Sequence, residues 1–211
     1  NLPDSPDVES TGFQILFARY GIDSLLAICQ RAERSRSNLS SRRGVNCLRN
    51  FSLARGQLNT YARLAARSAT LERDAGNPWT RIGTLDSALA DIWFRERGAE
   101  AVPRLDQYVA RTSLQDAPPT EFLYFRIANL YAWAGRPDRA RAILDRYAAE
   151  VRDTARLRIE VATRTRTEGE VALAERRYDE AIRLIQKGDT AYDGFPTLCE
   201  LCTLGSLALA Y

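Results

Sequence analysis

A recurrence of helix breaks restricts this chain more than any other feature. The breaks fall at Gly21, Gly56, Gly98 and Gly135, then at Arg176 within the run RRYDEAI, at spacings of 35, 42, 37 and 41 residues. Self-similarity at a period of roughly 20–50 residues marks stacked supersecondary units that bury their apolar faces on one another. This pitch suits two helices and a turn. Glycine fits the end of a first helix because, lacking a Cβ, it enters the left-handed region that satisfies the last carbonyls. Asp23, Asn59, Asp138 and Asp179 follow the breaks by two or three residues, and such side chains cap the amides that open a second helix. With 45% apolar content over 211 residues the chain can bury a continuous core. Alternating and β-branched runs are few, so an all-α fold without a sheet is expected.

The clearest unit covers residues 121–152, with Tyr124, Ile127, Ala128 and Tyr131 before Gly135, then Ala140, Leu144 and Tyr147. Intervals of three and four place one apolar stripe on each helix. Small Ala128 and Ala140 let the two backbones approach while the tyrosines fill the space beside them. A second copy covers residues 162–188, with Gly169 and Ala172, then Tyr178, Ala181 and Ile185; it has Arg176 where glycine is usual. A third begins after Pro196 and carries Leu204, Leu207, Ala208 and Tyr211 at the offsets of Tyr124, Ile127, Ala128 and Tyr131. Upstream, hairpins are expected at about 11–35, 44–73 and 79–111. They are separated by a polar loop at 35–43, a stop at Gly76-Asn77-Pro78 and another at 115–119.

Residues 121–152 resemble the tetratricopeptide repeat, with a large residue, then a small one, then Tyr, Gly and Ala at matching offsets. The resemblance implies a right-handed α-solenoid of about five antiparallel helix hairpins plus a final single helix. It is clear over 119–211, with a truncated last repeat, and degenerate over 1–118, the whole forming one continuous solenoid. It also implies a concave groove for extended peptides, falling here on Phe122, Phe125, Asn129 and Trp133, with Thr163, Arg166 and Glu170 on the next copy. Chaperone-binding members clamp a terminal carboxylate with lysine and asparagine; Asn129 matches, whereas Phe125 stands where lysine would be. An apolar peptide or neighbouring helix suits the aromatic residues better, and packing between adjacent hairpins is the competing role. Trp79 and Trp93, in poorly matching helices, are expected in the core. GRPDRARAILDRY and CELCTLGSLALAY are similar to repeat regions attached to bacterial serine/threonine kinases and regulators. That resemblance implies a non-catalytic protein-binding scaffold or sensor segment, in the extracytoplasmic part of a membrane-anchored protein or otherwise in the cytoplasm.

Histidine is absent, which removes the commonest general base, the usual serine-protease triad and most zinc sites. No glycine-rich phosphate loop follows a predicted strand. No enzyme activity, cofactor or metal is therefore expected. Glu168 with Glu170, and Asp179 with Glu180, read as solvated faces balanced by arginine. The net charge of +3, with both signs interspersed, gives little reason to expect nucleic-acid binding. No apolar run is long enough for membrane insertion. Cys29 with Cys47, and Cys199 with Cys202, form two local pairs, open to reading as buried thiols or as disulfides in an oxidising compartment. The chain starts at Asn1 and has no methionine, so it reads as a processed or excised piece. The stripe of Leu204, Leu207 and Tyr211 calls for a following helix, for a capping role, or for a homodimer through this C-terminal helix. A receptor in which Arg166 and its neighbours hold a small anion is a further alternative.

Overall fold

The computed structural model describes residues 23–75, 82–117, 119, 122–190 and 200–211. Among the described residues the chain is helical and contains no strand. Eleven helices follow in order: α1 (residues 23–33), α2 (Asn38–Ala54), α3 (Leu58–Asp74), α4 (Ile82–Arg95), α5 (Gly98–Arg111), α6 (Leu123–Trp133), α7 (Pro137–Glu150), α8 (Thr154–Ile159), α9 (Val161–Ala174), α10 (Tyr178–Thr190) and α11 (Glu200–Ala210). They divide into two compact units, Asn1–Ser87 and Ala88–Tyr211, the division falling within α4. The expected breaks at Gly21 and at residues 76–78 lie outside the described residues.

Among the described residues, four short turns between consecutive helices contain a residue in left-handed backbone. Left-handed backbone occurs at Gly56 (φ 67°), Glu96 (φ 55°), Gly135 (φ 73°) and Arg176 (φ 62°), positions 40, 39 and 41 residues apart. At three of them the next amide reaches back five residues to close the helix: Gln57 to Ser52 O (2.8 Å), Arg136 to Tyr131 O (2.8 Å) and Arg177 to Ala172 O (2.9 Å). The turn at Glu96 is wider, because Arg97 N–H donates to Asp91 O (2.8 Å), six residues back. Gly98, expected to be the break, instead opens α5, where an added Cβ would lie 3.1 Å from Ala134 Cα. Arg176 adopts the left-handed conformation despite its side chain. Asp138 is not the N-cap residue, which is Arg136; it stands in the first turn of α7, behind Pro137, where its carboxylate accepts from Arg136 at 2.9 and 2.6 Å and from backbone amides of that turn.

In the first unit α2 and α3 pair antiparallel, and α1 crosses α2 closely. A Cβ on Gly44 would fall 2.1 Å from Glu33 N, so only glycine permits this approach. Cys29 and Cys47 join the two helices by a disulfide, with Cα atoms 5.9 Å apart. Cys199 and the Cys202 side chain lie outside the described residues. The polar loop expected at 35–43 is shorter than predicted: α2 begins at Asn38, with the Ser37 side chain accepting from Ser40 N–H. Four serines in this run, Ser35, Ser37, Ser40 and Ser41, favour such capping over a loop. Arg67 on α3 pairs with Glu33 at 2.5 Å, and Arg49 with Asp86 at 2.9 Å.

In the second unit α6 pairs with α7 and α9 with α10, while α6 lies against α9 and α11 against both α9 and α10. Ala128, Ala140, Ala172 and Ala181 are fully buried at the crossings. The α9/α10 hairpin is the tightest. A Cβ on Gly169 would meet Ile185 Cγ1 at 2.7 Å, and one on Gly188 would meet Arg166 N at 2.8 Å. The short α8, which the repeat pattern did not anticipate, is capped by Asp153 accepting from the amides of Ala155 and Arg156. It delivers Arg156 into a buried polar cluster. Arg156 pairs with Glu160 at 3.1 Å, donates to the carbonyls of Gln115 and Ala117, and lies over the Tyr124 ring at 5.8 Å. The Tyr147 hydroxyl donates to Glu160 at 3.0 Å. A buried charge pair persists only with its remaining hydrogen-bond sites largely satisfied, and this one ties the α5–α6 loop to α8.

Candidate functional site

The residues expected to line a groove separate into a buried group and a partly exposed group. Phe125 is 1% exposed, its ring 4.8 Å from that of Tyr147, so it packs inside the α6/α7 hairpin. Phe122 precedes α6 in left-handed backbone and is half-buried. Asn129, Trp133, Thr163 and Arg166 are partly exposed. The Asn129 Oδ1 atom is buried and accepts no hydrogen bond. Glu170 is 4% exposed. Its expected place on a solvated face with Glu168 is therefore corrected: Glu168 stays outside, paired with Arg164 at 2.9 Å, while Glu170 turns inward.

Glu170 of α9 links two further helices, α6 and α11. Its carboxylate accepts from Trp133 Nε1–H of α6 at 3.0 Å and from the Ser206 hydroxyl of α11 at 2.6 Å. The bond fixes the Trp133 indole, and Trp93 of α4 meets that indole edge-on with ring centroids 4.9 Å apart. Trp93 was expected in the core but is 55% exposed. Burial of one indole edge against Trp133 leaves most of its surface open. Trp79 lies outside the described residues.

Sequence reasoning missed Ser206 and the pairing of the two indoles. A signal for the second was present. Trp93 and Trp133 each stand two residues beyond the carbonyl, Asp91 or Tyr131, that accepts the bond closing the hairpin turn. The two tryptophans stand 40 residues apart in the chain, close to the 35–42-residue spacing of the expected breaks. Ser206 carries no comparable pattern.

The acidic and phenolic groups around this site serve the framework. Burial opposes ionisation of Asp91, but bonds from Arg104 and Arg95 outweigh it and hold its carboxyl below the usual range. Burial, reinforced by the carboxylates of Glu150, Asp106 and Glu160 respectively, pushes the Tyr124, Tyr131 and Tyr147 hydroxyls well above the ordinary phenol value. Among the described residues no group of three or more Asp, Glu or Cys side chains is placed to hold a metal ion. No helix there is long and apolar enough to cross a membrane. No family model matches this chain, and no curated protein or solved structure matches it either.

Proposed function

We propose that this chain is a non-catalytic, tetratricopeptide-like solenoid of helical hairpins that serves as a protein-binding scaffold or sensor segment. Its partner contacts the indole pair of Trp93 and Trp133. The observation that carries this reading is an exposed tryptophan held against a second one, whose N–H is anchored by a buried carboxylate. A rigid aromatic anchor loses little conformational freedom on binding, and such residues dominate interface energetics. The 39–41-residue recurrence of left-handed turns supports the repeat reading. The Cys29–Cys47 disulfide favours an oxidising compartment.

Selection of displayed 12-residue peptides on the full chain, followed by affinity measurement, tests the proposal. Enriched peptides should lose about 30-fold or more in affinity for Trp93→Ala, a change of roughly 2 kcal/mol, while thermal unfolding stays unchanged. Failure to enrich any peptide, or affinities indifferent to Trp93, would remove the proposal. Self-association through α11 is a second reading, favoured by Leu209 and Tyr211 at 76% and 84% exposure. Light scattering over a concentration series should then show a dimer that Leu209→Glu abolishes; a monomer throughout rejects it.

A further inference from the structure

The first unit contains a recess of about 280 Å³ between α1, α2 and α3, apart from the indole pair. Leu26, Leu48, Phe51 and Leu64 supply the apolar part of its lining. Arg34, Arg55 and Arg63 also line it, one beside each of the three helix segments. Among the described residues, none of these three guanidinium groups has an ion-pair or side-chain hydrogen-bond partner. Three other arginines of this unit are paired: Arg42 with Glu72, Arg49 with Asp86, Arg67 with Glu33. Glu33 is the one carboxylate in the lining, and Arg67 already holds it at 2.5 Å.

Arg34, Arg55 and Arg63 around a low-dielectric recess focus a positive potential into it. The walls are also fixed in advance. The Cys29–Cys47 disulfide, the Gly44 crossing and the Ser41 hydroxyl bond to Glu33 O (2.9 Å) hold α1 against α2. The Arg67–Glu33 pair holds α3 against α1. A recess whose shape is set before binding loses little entropy when filled. Its volume lies just below the usual range of about 300–1,000 Å³ for small-molecule sites, which suits a compact ligand.

We infer that this recess binds a small amphiphilic anion: a carboxylate or phosphate ester on a compact apolar group, with the apolar group on the leucine and phenylalanine side chains and the anion among the arginines. Guanidinium forks suit either head, since both accept paired N–H bonds. Calorimetric titration of the full oxidised chain with phenylacetate and phenyl phosphate tests it, with phenylacetamide and inorganic phosphate as controls. At least one of the two aromatic anions should bind saturably at 1:1, and each control at least ten-fold more weakly. The Arg34→Gln, Arg55→Gln, Arg63→Gln triple variant should lose ten-fold or more in affinity with its thermal midpoint unchanged, because these side chains hold no partner among the described residues. Binding of neither aromatic anion, equal binding of phenylacetamide, or undiminished binding by the triple variant overturns the inference.

Discussion

Arg176 offers a direct measure of what the repeated turn costs. It adopts φ 62° where the equivalent turns have Gly56 at 67° and Gly135 at 73°. A side chain in left-handed backbone costs about 1–2 kcal/mol, because Cβ approaches the following carbonyl. Glycine removes that cost but adds freedom to the unfolded chain, which returns about 0.5–1 kcal/mol. Arg176→Gly should therefore stabilise the protein by about 0.5–1 kcal/mol. The reciprocal change, Gly135→Ala, should destabilise by a similar amount. Beyond the adjoining backbone no atom lies within 4 Å of a Cβ built at Gly135, so that change carries a local conformational cost and no clash with packed neighbours. Urea unfolding followed by tryptophan emission gives both values, provided the slope with denaturant stays constant. Opposite signs of similar size are expected. A destabilising Arg176→Gly together with a neutral Gly135→Ala would refute the assignment of these residues to one turn geometry.

At the α9/α10 crossing, Gly169→Ala places a methyl 2.7 Å from Ile185 Cγ1 and 3.0 Å from Ile185 N, so it should cost about 1–3 kcal/mol by the same unfolding assay. Alkaline titration should show a stability loss governed by Tyr124, Tyr131 and Tyr147, whose hydroxyls lie above the ordinary value of 10.0 in the folded state. The unfolded chain then holds fewer protons than the folded one above pH 10. Stability from these groups is complete below that pH and falls above it, by up to about 1.4 kcal/mol per unit for each group. Tyrosinate absorbance at alkaline pH should accordingly report these three only as the chain unfolds; their titration with secondary structure intact would contradict the burial. Reducing the Cys29–Cys47 disulfide, which spans 18 residues, should lower the stability of the first unit by about 3 kcal/mol, read as a shifted urea midpoint.

Helical period and small residues were legible from the chain alone. Apolar spacing located α6, α7, α9 and α10, and Ala128, Ala140, Gly169 and Ala181 all sit buried at crossings. Glycine at 56 and 135 marked left-handed turns because the residue type itself permits them. Glu96 hid the same conformation, since nothing in its side chain announces it, and nearby Gly98 drew attention for a different demand, close approach to Ala134. Helix α8 has six residues, too short for a periodic stripe. Glu170 could not be told from Glu168 by sequence: both are helical carboxylates among arginines, and only the packing of α6 and α11 supplies Trp133 and Ser206 as donors. The exposure of Trp93 was hidden for a similar reason, because a tryptophan's average preference for burial says nothing about which neighbour covers it.

The register in which α6 and α9 meet underlies the proposed partner surface, and Trp133 with Glu170, 37 residues apart, reports it. A double-mutant cycle of Trp133→Phe and Glu170→Met keeps each side chain's approximate volume while removing the donor or the acceptor. Stabilities of the two single variants and the double variant should yield a coupling energy of about 1 kcal/mol or more. Additivity within about 0.3 kcal/mol would mean that α6 and α9 do not meet in this register.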